Sequence, residues 1–472
     1  MLTGYGLRNM PPLTRIRSSF EGRPWKRLLW IACCCLLPGL CRGDLWVTGY
    51  YPGYESGAMA PSNIDLTTVT HVIHFSLVPN SDGSLDSNAN NLTAAACAKL
   101  VGVAHAAGRK ALVCVGGAGS ETGFLGATTA ANLGLFVANA ANFMSAYGYD
   151  GVDLDWEPFN SADANPYTNL VNALRATLGA NKLLTVAAPA YPEYGDSPTA
   201  EFAMLASVQG RFDQINIMTY DLSGPYPGWV TWYNSPIYDG GYTFPNTSEL
   251  VPSINGAVSN FVNNGVVPAK LGIGLPFYGY VWTGGPGVNQ PRQSWPTNSV
   301  PTAAAYTWAT IVNTYYQSNL YHWDGAAQAA YLSLTNAPAS DDMFISYDDT
   351  HACQAKVSFA RNLRLGGIMI WELSQDYLPS QPSGRRAPLM SALKEALATP
   401  DIAGIQRSGT NIGLSFTSLP LALYRVLWSS NLAFGLWNTL TNNVPGTGTN
   451  VAITDPAPPA APQRFYRIQT PP

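Results

Sequence analysis

The strongest constraint on the fold of this chain is an alternation of short apolar runs with Ala-rich segments, which begins at Leu45. The apolar runs contain many β-branched residues and little polar alternation, which is typical of strands buried on both faces. The Ala-rich segments have the spacing of helices that cover one side of a sheet. The strand candidates are residues 45–51, 69–77, 110–115, 149–155, 183–188, 212–219, 270–275 and 366–371, and the clearest helix candidates are 90–107, 130–147, 165–178 and 253–264.

This alternation over residues 44–395 predicts an α/β fold, a (β/α)8 TIM barrel. A doubly wound open sheet is the alternative, and it usually has a Gly-rich phosphate loop after its first strand. Residues 49–53 read GYYPG and do not form such a loop. The barrel is therefore the favoured architecture.

Two stretches depart from the alternation. Residues 281–343 are too long for a barrel loop without structure of its own, so we expect a small α+β insertion after the seventh strand. Residues 396–407 are interpreted as a linker, and residues 408–472 as a C-terminal β-rich module with strands near 421–428 and 465–468. We expect Trp428 and Trp437 to belong to the core of this module, since a small module needs its aromatic residues buried.

Residues 1–43 have the pattern of a secretory signal peptide. Basic residues precede an apolar run at 28–40, which is too short to span a bilayer. A membrane anchor is the alternative interpretation. We expect the mature protein to be secreted, extracellular or periplasmic, and to have no membrane contact after the signal is cleaved.

Composition excludes several partners. Charged residues make up 11% of the chain, the net charge is −4, and no basic stripe is present, so a nucleic-acid partner is not expected. The five histidines lack metal-site spacing, and neither a metal nor a cofactor is predicted.

Outside the signal the cysteines are Cys97, Cys114 and Cys353, an odd number that does not form a disulfide framework. We expect a monomer.

The chemistry of the chain is concentrated in residues 150–157, DGVDLDWE. Because side chains alternate in a strand, Asp153, Asp155 and Glu157 share one face, and the apolar residues between them share the other. Buried neighbouring carboxylates lose hydration and repel, so at least one should hold a proton near neutral pH. Glycoside hydrolysis needs such an acid. A calcium loop is the alternative, but Pro158 stands where that loop needs Gly.

This acidic segment resembles the fourth-strand signature of glycoside hydrolase family 18. Residues 214–221 (QINIMTYD), 274–279 (GLPFYG) and 366–372 (GGIMIWE) resemble the family's sixth-, seventh- and eighth-strand motifs. The region 281–343 is similar to the small α+β insertion of one chitinase branch. The resemblance covers residues 45 to about 395.

The resemblance implies a retaining mechanism in which the acetamido oxygen of the substrate is the nucleophile, an exception to the two-carboxylate scheme. It implies that Glu157 is the acid and base, that Asp155 holds the acetamido group, and that Asp153 shares a proton with Asp155. Tyr220 and Asp221 would complete the catalytic set. The implied substrate-binding residues are Tyr50, Phe75, Gly117, Met218, Tyr278 and Trp371.

The chain departs from the family pattern at the end of the third strand. Cys114 stands where a serine is usual, and Ala118 stands where a tryptophan is frequent. A thiol is a weaker hydrogen-bond partner for the deep acids than a hydroxyl. We expect activity to persist, with altered proton sharing at Asp153.

Three functions remain open from the sequence. The favoured one is an endo-acting chitinase that cuts β-1,4-linked N-acetylglucosamine polymers or oligomers. A second is an endo-β-N-acetylglucosaminidase acting on N-glycans, and a third is a non-catalytic chitin-binding lectin. The presence of Glu157 favours an enzyme.

Overall fold

The computed structural model describes residues 45–191, 200–223, 230–244, 248–285, 287, 304–336, 338, 341–398, 400–418, 423–431, 436–447, 449–456 and 463–469. The predicted signal peptide, residues 1–43, lies outside the described residues. Among the helices in these ranges, none combines the length and the apolar character needed to cross a bilayer.

A closed barrel of parallel strands forms the centre of the structure. Each strand pairs with its neighbours in chain order, and the last strand also pairs with the first, which closes the sheet. The strands are β1 (Trp46–Pro52), β2 (His71–Pro79), β4 (Lys110–Gly117), β5 (Gly151–Trp156), β6 (Leu183–Pro189), β7 (Gln214–Met218), β8 (Leu271–Pro276) and β14 (Gly367–Trp371), with a short strand β3 (Leu85–Asp86) paired to β2. The predicted TIM barrel is confirmed, with no strand end shifted by more than two residues.

Helices pack around the barrel, and all but the last lie between barrel strands along the chain. They are α1 (Ala94–Ala106), α2 (Glu121–Ala127), α3 (Leu133–Ala146), α4 (Ala164–Leu178), α5 (Ala200–Val208), α6 (Ile254–Asn263), α8 (Thr350–Asn362) and α9 (Pro388–Ala398). Side chains cap several of them: Thr93 accepts from the Ala96 N–H, Ser253 from Gly256, and Asp349 from Ala352. These bonds satisfy donors that the first turn of a helix leaves without intrahelical partners.

The two faces of β5 show how the barrel places its acids. The large apolar cluster between strands and helices contains Val152, Leu154 and Trp156. The Trp156 ring stacks on that of Phe124, with 4.5 Å between the ring centroids. The opposite face points into the barrel, where a second cluster contains Tyr50, Ile73, Phe75, Leu112, Cys114, Ala187, Tyr220, Tyr278 and Met369. The apolar face of β5 therefore anchors the strand while its acids face the interior.

The predicted insertion is a five-stranded antiparallel sheet between β8 and α8. In chain order it contains β9 (Tyr278–Thr283), β10 (Ala304–Thr307), helix α7 (Trp308–Thr314), β11 (Tyr321–Asp324), β12 (Ala329–Leu334) and β13 (Met343–Tyr347). Its strands extend beyond the predicted bounds 281–343 at both ends. The reason is that β9 follows β8 after the single residue Phe277, with no break in the apolar pattern.

Two three-stranded sheets form the C-terminal part, β15 (Ile402–Ser408) with β16 (Asn411–Thr417) and β19 (Asn450–Asp455), and β17 (Leu423–Ser429) with β18 (Asn438–Pro445) and β20 (Phe465–Gln469). β15 occupies much of residues 396–407, which the sequence assigns to a linker, and α9 extends to Ala398. Nearly every residue of β15 is exposed, so the segment lacks the apolar pattern of a buried strand.

Neither of the two tryptophans that the sequence places in the core of this C-terminal part belongs to that core. The core cluster contains Leu414, Phe416, Tyr424, Val426, Val444 and Ile468. Trp428 is only half-buried, and the Arg464 guanidinium lies 3.8 Å from its ring centroid. The prediction that Trp428 and Trp437 belong to this core is wrong, because smaller aliphatic and aromatic side chains fill the space between the sheets.

Candidate active site

The three predicted acids lie at the carboxyl end of β5. Asp153 is fully buried, Asp155 is 2% exposed, and Glu157, one residue beyond the strand, is half-buried. Strand pairing sets Cys114 beside Asp153 and Gly116 beside Asp155 on one side, and Thr185 beside Asp153 on the other. The acids therefore form a row that runs from the barrel interior to the face where TIM barrels place their active sites.

Asp153 is the deepest acid and is surrounded by donors. Tyr50 Oη donates to its Oδ2 at 2.7 Å, and Thr185 Oγ1 donates to its Oδ1 at 2.5 Å. Burial raises the pKa of Asp153 to about 6, although the hydrogen bonds from Thr185, Tyr50 and Cys114 act in the opposite direction. Burial, and then the charge of Asp153, hold the pKa of Tyr50 well above its usual value, so Tyr50 stays a neutral donor.

Asp155 lies between two other acids. Burial raises its pKa well above the ordinary value, and the charges of Glu157 and Asp153 raise it further. It also shares a hydrogen bond with Glu157. Its Oδ1 atom is buried and has no hydrogen-bond partner among the described residues. Asp155 and Glu157 therefore share a proton between their carboxyl groups. The Oδ1 atom of Asp155 beside this pair is an acceptor with no donor among the described residues.

Ser120 fixes the backbone of this acid row. Its Oγ donates to the Asp155 carbonyl at 3.2 Å and accepts from the Glu157 N–H at 3.3 Å. The Glu121 N–H, at the start of α2, donates to the Glu157 carbonyl at 3.0 Å. Ser120 does not appear among the sequence predictions, because its only sequence signal is its position just before a helix.

Trp371 is half-buried at the end of β14 and packs against two predicted residues. Its ring centroid lies 5.5 Å from that of Tyr50 and 4.8 Å from that of Phe75, which meets it edge-on. Phe75 and Tyr50 thus support Trp371 from below. Tyr220 is buried across the barrel interior, where its hydroxyl donates to Met369 Sδ at 3.7 Å. Burial raises the pKa of Tyr220, so it too remains a neutral donor.

Asp221 lies at the end of β7 in the left-handed region, with φ of 55°. Its Oδ1 accepts from the hydroxyls of Tyr278 and Tyr280, each at 2.6 Å. Met218 is half-buried and packs against the interior cluster. Tyr280, like Thr185, is part of the site but is absent from the sequence predictions.

Gly117 allows close packing against Phe75 inside the barrel. It adopts φ of 113°, and a Cβ at this position would lie 2.6 Å from Phe75 Cζ. The neighbouring Gly116 has φ of 117°, and its Cβ would lie 1.9 Å from the Asp155 carbonyl oxygen. The paired glycines let β4 pass close to the aromatic support and to the acid row.

Gly117→Ala is expected to lower the free energy of unfolding by roughly 2–4 kcal/mol, because it combines a strained φ with overpacking against Phe75. Gly119→Ala is the matched control, since Gly119 has φ of 80° and no atom within 4 Å of its Cβ position. The control should cost only about 1 kcal/mol, the backbone contribution alone. Urea unfolding measures both, and equal losses in the two variants would show that Phe75 does not restrict this position.

In the part of the chain that the structure describes, no three His, Cys, Asp or Glu side chains are grouped as metal ligands. Cys97, Cys114 and Cys353 are free thiols and buried. The site as described consists of carboxyl groups, neutral phenol donors and an aromatic surface. Its residues can donate and accept protons and hold a neutral polar ligand.

Comparison with known proteins identifies the family. Chitinase A1 of Niallia circulans is 32% identical over 365 residues, 69% of this chain and 47% of that protein. Chitinase 1 of Aphanocladium album is 27% identical over 355 residues, 66% of this chain and 77% of that protein. The crystal structure of a chitinase from Rhizomucor miehei is 25% identical and superposes with a TM-score of 0.62, covering 74% of this chain and 99% of that one.

The chain spans about half the length of the Niallia protein. The family profile described as glycosyl hydrolases family 18 matches residues 47–376, which include the whole barrel and its acid row. On this match and on the sequence identity, the chain belongs to glycosyl hydrolases family 18.

Proposed function

We propose that this protein is a chitinase that hydrolyses β-1,4-linked N-acetylglucosamine, with Glu157 as the proton donor. The proposal rests on the hydrogen-bonded pair of Asp155 and Glu157 beside a buried Asp155 Oδ1 without a donor among the described residues. A substrate acetamido N–H supplies the missing donor. The relatives described above are themselves named chitinases.

In the first step, Glu157 transfers its proton to the glycosidic oxygen as the bond to the anomeric carbon breaks. The acetamido oxygen of the same sugar forms a bond to that carbon, and a cyclic oxazolinium ion results. Asp155 accepts the acetamido N–H, which aligns the oxygen, and its charge balances the positive ion. The row of acids supplies the proton sharing that lets Asp155 become charged at this moment.

In the second step, water attacks the anomeric carbon and Glu157 takes its proton, which restores the acid and opens the oxazolinium ring. Two displacements at one carbon give overall retention of configuration. Tyr220, kept neutral by burial, donates to the acetamido oxygen, and Trp371 forms the surface beneath the sugar. In this proposal the enzyme is an endo-acting monomer that works outside the cell, after removal of residues 1–43.

A defined hexamer of N-acetylglucosamine tests the proposal. We expect internal cleavage to shorter oligomers, and NMR at early times should show the new reducing ends in the β configuration. New reducing ends in the α configuration would contradict the substrate-assisted mechanism. Release of glycans from a high-mannose glycoprotein, without cleavage of the hexamer, would instead indicate an endo-β-N-acetylglucosaminidase, and binding without turnover would indicate a lectin.

A further inference from the structure

Asp221 occupies a backbone conformation that few non-glycine residues adopt, and the structure holds it there with several hydrogen bonds. Its φ of 55° lies in the left-handed region, which is less favourable for a residue with a Cβ. The side chain is exposed, so without partners its carboxylate is free to occupy several rotamers. The residues that fix Asp221 therefore determine what a bound ligand meets.

Asn234 fixes the backbone of Asp221. It is 1% exposed, and its Oδ1 accepts from the Asp221 N–H at 2.8 Å. Its Nδ2 donates to the Tyr278 carbonyl at 3.3 Å, and its own N–H donates to Ser346 Oγ at 2.7 Å. Tyr278 is on β9 and Ser346 on β13, so Asn234 connects the end of β7 to two strands of the inserted sheet.

Tyr280 fixes the carboxylate of Asp221. Its hydroxyl donates at 2.6 Å to the same oxygen that Tyr278 contacts, from a position two residues along β9. Two residues along a strand share a face, so both phenols reach Asp221 from one side of the inserted sheet. Two donors on one oxygen fix the rotation of the carboxylate and leave its other oxygen in a defined direction.

A buried ion pair supports the preceding residues of the same segment. Lys356 on α8 is fully buried, forms an ion pair with Asp348, and donates to Ser235 Oγ at 2.6 Å. Ser235 Oγ in turn donates to the Thr219 carbonyl at 2.5 Å. The segment 219–221, which contains Tyr220, is thus held on one side by α8 and on the other by the inserted sheet.

We propose that Tyr280 and Asn234 are positioning residues for the reaction. This inference rests on the proposed function. Tyr280 and Asn234 act through Asp221, which they orient beside Tyr220 for contact with the sugar during bond cleavage.

Tyr280→Phe tests this inference because it removes one hydroxyl and leaves the ring. We expect kcat on a soluble N-acetylglucosamine oligomer to fall about tenfold, with KM changed less than about threefold, because an interaction that orients the reacting sugar acts mainly in the transition state. Tyr321→Phe is the matched control: it removes a hydroxyl on the same inserted sheet that donates to Asp349 at 2.9 Å. The control should keep kcat within about twofold.

Melting temperatures separate positioning from stability. Tyr280→Phe and Tyr321→Phe should melt within about 2 °C of each other, while only the first loses turnover. If Tyr280→Phe has the same kcat as the wild type, or if both variants lose kcat equally, the inference is wrong. The proposed function still stands in that case, because the wild-type protein turns over the oligomer. Absence of turnover in the wild-type protein would instead overturn the proposed function.

Discussion

Glu157→Gln should lower kcat on N-acetylglucosamine oligomers by roughly 10²–10⁴-fold while oligomer binding persists. Glutamine has nearly the shape of glutamic acid, but its amide cannot protonate the glycosidic oxygen or take a proton from water. Steady-state kinetics measure the loss, and calorimetry measures the retained affinity. The expected pattern is a low kcat with an oligomer dissociation constant within about tenfold of the wild-type value.

Glu395→Gln is the matched control for this substitution. Glu395 is exposed on α9, away from the acid row. It should leave kcat unchanged within about twofold. Full activity in Glu157→Gln, or equal losses in the two variants, would remove Glu157 from the role of proton donor.

Asp155→Asn should lower kcat by roughly 10²-fold and at the same time stabilise the protein above neutral pH. The loss of activity follows because an amide cannot balance the charge of the oxazolinium ion. The gain in stability follows from the raised pKa of Asp155, since burial and two neighbouring acids disfavour its charged form. A neutral side chain of the same size removes that cost.

The raised pKa of Asp155 fixes the sign of the pH effect. Below the unfolded pKa of about 3.9, Asp155 is protonated in both states and contributes no difference. As pH rises above this value, the unfolded chain releases the proton before the folded protein does, so the wild-type protein loses stability until the raised folded pKa is passed. The stability advantage of Asp155→Asn should therefore be absent near pH 3.5 and grow toward pH 8.

Thermal unfolding of both proteins across this pH range measures the difference. The free energy of unfolding of Asp155→Asn should exceed that of the wild type at pH 8 and equal it near pH 3.5, because burial and two neighbouring acids raise the pKa of Asp155 in the folded protein. An advantage that is the same at all pH values would attribute the effect to packing. A variant less stable than the wild type at pH 8 would contradict the raised pKa of Asp155.

The barrel is predictable from the sequence because its strands carry their own signal. β5 is buried at every position, and its acids alternate with Val152, Leu154 and Trp156. Both the burial of the strand and the direction of its side chains therefore follow from the local sequence. β15 carries no such signal, since nearly all of its residues face solvent. Its residues up to Arg407 therefore resemble a linker in the sequence, although they pair with β16.

The site is predictable only where a motif lies within one strand. Thr185 contacts Asp153 because β6 pairs with β5 in a particular register, and a single threonine in an apolar run does not reveal that register. Asn234, on a loop, and Tyr280, on the inserted sheet, both contact Asp221. They lie 13 and 59 residues after it in the sequence. Such contacts depend on tertiary packing, which spacing in the sequence does not encode.

A crystal structure of Glu157→Gln with a bound tetramer of N-acetylglucosamine is the most stringent test of the proposed role of the acid row. We expect one sugar over the Trp371 ring with its acetamido N–H within about 3.2 Å of Asp155 Oδ1, the distance of an ordinary hydrogen bond. We also expect the glycosidic oxygen in hydrogen-bond contact with the side chain at position 157. An acetamido group turned away from Asp155, or an oligomer bound away from the acid row, would contradict the proposed mechanism.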